Sequence, residues 1–192
     1  MKLHHFCNKA AYEYLQREGY LNGDGRRADR LLRDLDSRPY HWIAEQMQRR
    51  LPPRHPRAAA FPVWAWHTHN GKRGTDLRNC GLGHKGGLTV RLTIKISDEF
   101  VLLSDHADWH SVLNNWFITD SEAESDMWDE RKKTWPKEQF TTAMRRSWEK
   151  IFDLNRKVDP AWRGSLPSPY IQACFWVLEA DMVIKERWFT AR

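Results

Sequence analysis

At 192 residues, 41% of them hydrophobic and 29% charged, the chain is long enough for one full core and too short for more than one domain with an appendage. Its 31 Lys and Arg against 25 Asp and Glu leave a formal charge of +6, which suits a polyanionic or phosphate-bearing partner and equally suits an ordinary basic surface. No cationic start leads into an apolar stretch long enough for export or membrane spanning, and Cys7, Cys80 and Cys174 are too few and scattered for a disulfide framework, so a reduced, cytoplasmic protein is expected.

In chain order, Leu3 to Phe6 predicts a strand, and Asn8 a cap for a helix through Ala11, Tyr14 and Leu15 that stops at a left-handed Gly19. The Asn, Gly, Asp, Gly and Arg residues of 22–27 read as a turn, and Leu31, Leu32 and Leu35 as a short helix closing before Pro39. Trp42, Ile43, Met47 and Leu51 recur at helical spacing until Pro52 and Pro53 end the pattern. "FPVWAW" is strand-like, and the glycine-rich "HTHNGKRGTDLRNCGLGHKGG" reads as a long loop. In "LTVRLTIKI", Leu88, Val90, Leu92, Ile94 and Ile96 alternate with Thr89, Arg91, Thr93 and Lys95, the period of a half-buried strand.

Beyond "FVLLSD", Ser104 or Asp105 can cap a helix that carries Trp109, Val112, Leu113 and Trp116 inward. The acidic run 120–130 reads as surface. Pro136 suits a helix's first turn, after which Phe140, Met144, Trp148 and Ile151 share one helical face. "YIQACFWVL" predicts a strand, "EADM" a tight turn and "VIKERWF" a last strand. Strands at both ends with helices between them read as α+β in a single domain spanning 1–192. Eleven tryptophans, each with a large ring and an N–H to satisfy, divide between the core and the lining of a groove.

Several motifs carry little chemistry. "GLGHKG" fits G-x-G-x-x-G but leads into a strand, so it cannot present helix amides to a pyrophosphate. "HADWH" places His106 and His110 four apart with Ala107 where a metallopeptidase needs its glutamate. His67, His69, Cys80 and His84 have the donor types of a tetrahedral zinc site without an established spacing, and a basic substrate loop is the competing reading. Lys72, Arg73 and Arg78, with Asp76 to orient an arginine, suit phosphate binding or a solvated ion-paired loop. No serine or cysteine sits in a glycine elbow, and no acid pair is marked out for glycoside hydrolysis.

"LHHFC…YEYLQREGYL", "FPVWAW" with "TDLR" after it, "VLLSDHADWHSVLNNW", "SWEKIFDL" and "YIQACFWVLEADMVIKERWF" together resemble a family of uncharacterised bacterial domains over nearly the whole chain. A second resemblance is to the ADP-ribosyltransferase-like fold, which begins with a strand ending in His-x-Thr or a related motif and a helix closing in Gly-x-Leu. His5-Phe6-Cys7 and Gly19-Tyr20-Leu21 stand at those places, with cysteine for threonine. The fold also carries an aromatic or hydroxyl residue on a middle strand and a Glu or Gln on a late one, for which "VWAW" and "IQACFWVLEADMVI" are the counterparts.

That resemblance implies split antiparallel sheets with surrounding helices and NAD as substrate. It implies a site of His5 and Gln172 as catalytic residues, with His5, Cys7, Trp64, Trp66 and Arg78 binding the nucleotide. Breaking the nicotinamide–ribose bond builds positive charge on the sugar, so such a pocket must hold the ribose hydroxyls, stack the leaving ring and exclude water. An amide cannot act as a base as a carboxylate would. Glu179, seven residues beyond Gln172, reads as an exposed turn carboxylate.

The expected activity is ADP-ribosyl transfer from NAD to a macromolecule, nucleic acid or protein, and its competitor is a non-catalytic nucleotide-, nucleic-acid- or protein-binding module of a toxin or phage-defence system. His5 is either a ligand residue or a satisfied buried histidine. The transferase reading expects the first strand and that of Gln172 to lie side by side at the floor of a hollow.

Overall fold

A computed structural model of the chain describes residues 1–23, 37–78, 82–83, 85–163 and 168–192. The turn expected at 24–27 and the short leucine helix after it lie outside the described residues, as do Cys80 and His84. The chain mixes six described helices with a six-stranded sheet and a two-stranded one. It divides into two compact units, residues 1–103 with 172–192, and residues 104–171. Among the described residues no helix is long and apolar enough to cross a membrane.

In the first unit, β1 (Lys2–Asn8) leads directly into α1 (Lys9–Glu18). The Asn8 side chain accepts from the Ala11 N–H, and Gly19 ends the helix at φ +79° with its N–H donated to the Leu15 carbonyl, so both predicted end signals operate. Next come β2 (Tyr20–Asn22), α2 (Arg38–Arg50), β3 (Val63–Thr68) and β4 (Leu88–Lys95). The segment read as one strand from 170 to 178 breaks at Trp176 into β6 (Ile171–Phe175) and β7 (Val177–Glu179), which join different sheets, and β8 (Val183–Thr190) follows. With β5 (Leu102–Asp105), the large sheet has the order β5-β6-β3-β1-β4-β8, and β2 pairs with β7. The pairings β1–β3, β1–β4 and β4–β8 are antiparallel. Because β3 stands between β1 and β6, the strands of His5 and Gln172 are not neighbours, contrary to the expectation of adjacency.

The sheet's alternation assigns its faces. Leu3 and Cys7 of β1, Val63 and Ala65 of β3, Val90, Leu92 and Ile94 of β4, and Ala173 and Phe175 of β6 share one apolar core with Leu15 of α1. Full burial of each Val, Leu, Ile or Phe side chain is worth about 1.5–3 kcal/mol over leaving it exposed. The expected β4 alternation holds from Val90 to Ile94, but Leu88 is exposed and Thr89 and Thr93 on the opposite face are buried. That second face is also covered, because the chain leaving β3 folds back over it, as described below.

In the second unit, α3 (His106–Leu113) is capped by Asp105, whose carboxylate accepts from the N–H groups of Ala107 and Asp108. Trp109 and Val112 face inward as expected, whereas Trp116 lies past the helix end and is 63% exposed. The acidic run forms α4 (Glu122–Thr134), an exposed helix capped by Ser121. Then α5 (Lys137–Ser147) follows Pro136, and Met144, Trp148 and Ile151 are buried, the last two on a 3-10 turn, Trp148–Phe152. A single turn, α6 (Pro160–Arg163), completes the unit's helices.

Candidate functional site

Register decides which predicted residues can meet. Residues directly opposite one another in an antiparallel pair point to the same face. His5 stands opposite Leu92, in the row of Leu3 and Cys7 that packs into the apolar core. Its Nδ1 bonds the Trp64 carbonyl at 2.7 Å, and burial holds its pKa below the usual histidine value. Cys7 points the same way, its thiol pushed up to about 12 by burial and by Glu186, so it is no thiolate. Cys174 is fully buried with its pKa raised by the same cause.

Trp64 and Trp66 alternate with the core residues Val63 and Ala65, and Gln172 with Ala173, so these three occupy the opposite face. The histidine on that face is His4, directly opposite Trp66. Three consecutive strands, β1, β3 and β6, thus present His4, Trp64, Trp66 and Gln172 together, and leave His5 and Cys7 on the other side. Sequence reading passed over His4, although the period of two makes adjacent histidines mutually exclusive for any one site.

His4 is 6% exposed and both its nitrogens are engaged: Nε2 at 2.9 Å from the Arg73 carbonyl and Nδ1 at 3.2 Å from the Thr93 hydroxyl. A carbonyl only accepts, so Nε2 carries a proton, and in the neutral ring Nδ1 accepts from the Thr93 hydroxyl. Burial lowers its pKa, outweighing the Arg73 carbonyl bond, and Arg91, Lys2 and Arg73 push the same way as burial.

The segment that covers this face is more ordered than its glycines suggest. Asn70 and Gly71 both have positive φ, +52° and +71°, and His69 and Lys72 exchange backbone hydrogen bonds across them, which makes a two-residue hairpin turn of the Asn-Gly type. Beyond it, Arg73 donates to the Lys2 carbonyl at 3.1 Å and Arg91 Nη1 to the Thr75 carbonyl at 3.1 Å, strapping the loop to β1 and β4. Arg91 faces Arg187 across β4–β8, and burial together with that neighbour lowers its pKa. Thr75 Oγ1 and Arg91 Nε, both buried, have no hydrogen-bond partner among the described residues, so donors are concentrated where the basic loop meets the sheet. Arg78 is otherwise engaged: its guanidinium grips Asp76 at 2.7–3.2 Å and holds that carboxyl well below the usual range.

Of the zinc candidates, His67 Nδ1 lies 2.9 Å from Thr68 Oγ1, His69 packs edge-on to Trp66 with ring centres 4.9 Å apart, and Cys80 and His84 lie outside the described residues. Burial lowers the pKa of both described histidines. His106 and His110 pack ring to ring at 4.8 Å. No group of three or more His, Cys, Asp or Glu able to hold a metal occurs among the described residues. Glu179, read from the sequence as an exposed turn carboxylate, is the last residue of β7, partly exposed, and lies 3.6 Å from Arg57 and 3.7 Å from His55.

In the second unit the charged cluster is structural. Asp108, fully buried, pairs with Arg156 and Arg163; Arg156 also binds Asp120 at 2.8 Å, and Lys150 bridges Asp120 and Glu124 at 2.8 Å each. Three carboxylates and three cations compensate one another, the condition under which burial is tolerated.

The fold and the polar sheet face define a mixed α and β protein with a tryptophan- and arginine-bordered surface. The model of a family described as a domain of unknown function, DUF3841, matches residues 3–184, and the chain belongs to that family. No curated protein and no solved structure matches it.

Proposed function

We propose that the chain binds NAD on the face formed by β1, β3 and β6 and transfers its ADP-ribose to a macromolecular acceptor. One observation carries this reading: a histidine, two tryptophans and a glutamine, the residue types that the resemblance to ADP-ribosyltransferases implies, occur on one face of three consecutive strands, with His4 in the role first given to His5. The basic loop supports it further, since Arg73 and Arg91 border that face and a diphosphate needs cationic donors.

In this reading a tryptophan ring stacks on nicotinamide, and His4 donates Nε2–H to a ribose oxygen once the Arg73 carbonyl is displaced. Gln172 holds a ribose hydroxyl through its amide. The C1′–nitrogen bond breaks with its electron pair leaving on nicotinamide, the acceptor's nucleophile bonds to C1′, and the acceptor's proton goes to water. Gln172 is a positioning residue and takes no proton. The same feature favours a second reading, a module that binds the nucleotide without transfer, because no carboxylate among the motif residues supports the ribosyl cation.

Incubation with labelled NAD, RNA, DNA and cell lysate tests both. Labelled acceptor that disappears in His4→Ala and Gln172→Ala supports transfer. NAD binding without product supports the second reading, and absence of both binding and product refutes the two together.

A further inference from the structure

The second unit contains a cavity of about 440 Å³ that the sheet face does not use. Its walls are aromatic: Trp116, Phe117, Trp128, Phe140 and Trp162. Phe117 stacks on Trp128 with ring centres 3.9 Å apart and planes 18° apart, and Phe140 meets Phe117 edge-on at 4.9 Å. Trp116 and Trp162 are 63% and 39% exposed. Tryptophan rings left in water at the mouth of an aromatic cavity forgo burial worth kilocalories, the usual mark of a surface kept for a ligand.

Both exposed tryptophans are anchored, Trp116 through its backbone and Trp162 through its indole N–H. The Trp116 carbonyl accepts the Trp148 indole N–H at 2.8 Å, its N–H donates to Ser111 at 2.9 Å, and the residue before it, Asn115, holds a left-handed φ of +55°. Trp162 Nε1 donates to Thr119 Oγ1 at 3.2 Å. Trp128 Nε1, in the wall, has no hydrogen-bond partner among the described residues. Lys132, Ser111 and Arg163 also line the space, and Asp129 is the one carboxylate there among the described residues.

Flat aromatic walls select a flat π ligand, and the wall donors not engaged elsewhere among the described residues, Trp128 Nε1 and the Lys132 ammonium, select one that carries acceptors. A cationic ligand is disfavoured: the Arg131 guanidinium already lies 4.7 Å from the Trp128 ring centre, and Lys132 and Arg163 are adjacent. The volume falls in the range of small-molecule sites. We propose that this cavity binds a nucleobase, stacked against Trp116 or Trp162 and hydrogen-bonded to the wall donors. The base could come from a free nucleotide or from an unpaired position in a nucleic acid.

Calorimetric titration of the full chain with AMP, UMP and a single-stranded ten-nucleotide oligoadenylate tests this, with Trp116→Ala, Trp162→Ala and His4→Ala as variants. At least one probe is expected to bind, and the two exposed tryptophan replacements, which leave the core intact, should each weaken it roughly tenfold. The tryptophan-dependent binding should persist in His4→Ala, and any part of the AMP signal that His4→Ala removes belongs to the sheet face of the NAD reading, which separates the two sites. Binding of the oligonucleotide alone assigns the base to nucleic acid, and binding of the monophosphates assigns it to free nucleotides. No binding at millimolar concentration, or binding unchanged in both tryptophan variants, overturns the proposal. So does tighter binding of cellobiose or tetramethylammonium, titrated alongside as sugar and cation controls, than of every base-containing probe.

Discussion

His4 on β1 stands directly opposite Trp66 on β3, while its chain neighbour His5 stands opposite Leu92 and faces the core. One peptide bond separates a histidine beneath the basic loop from one on the core side of the sheet.

The His4 ring is the buckle of the loop, joining the Arg73 carbonyl to Thr93. Replacing it with alanine leaves the Arg73 carbonyl without its donor and should cost about 1–3 kcal/mol in urea denaturation. Trypsin should then cut faster after Lys72 and Arg73. Unchanged stability together with unchanged cleavage would show that the ring does not fasten the loop.

Acid should loosen the first unit. His4, His5, His67 and His69 all have pKa values lowered first by burial. Above the unfolded value of about 6.5 both states are neutral and the histidines contribute no pH dependence. Below it the unfolded chain takes up protons that the native chain refuses, so stability falls with decreasing pH until the native pKa values are reached. Urea midpoints at pH 7.5 and 5.5 should differ in that sense, and His4→Gln should narrow the difference.

Asp108 is fully buried between two arginines. Asp108→Asn removes the charge and leaves Arg156 and Arg163 undercompensated, which should destabilise the second unit by about 3–5 kcal/mol. Thermal unfolding followed by tryptophan fluorescence measures this, and a shift of less than a degree would contradict the role given to the cluster.

Gly19 tests backbone conformation alone. At φ +79° an added Cβ meets nothing within 4 Å, so Gly19→Ala adds no clash and costs only the left-handed penalty, about 1 kcal/mol. Gly19→Asn, which tolerates that region better, should lose less in the same denaturant titration.

Local signals carried much of the architecture. The Asn8 cap, the Gly19 stop, the helix from 137 and the alternation in β4 each follow from neighbours within a few residues, where hydrogen bonding and period decide the outcome. Asn70-Gly71 was equally legible as a hairpin turn, but the surrounding glycines led to its being read as loop. The break at Trp176 and the exposed Trp116 left no such trace, because an apolar run looks alike whether it stays in one sheet or changes sheets.

The sequence by itself determined that two histidines, a pair of tryptophans and a glutamine would lie on strands. Only the tertiary structure decided that β3 separates β1 from β6 and that His4, not His5, shares a face with Trp66 and Gln172. The reason is the two-residue period of a strand: a one-residue difference in register reverses every side chain, and register is fixed by pairing partners far away in the chain.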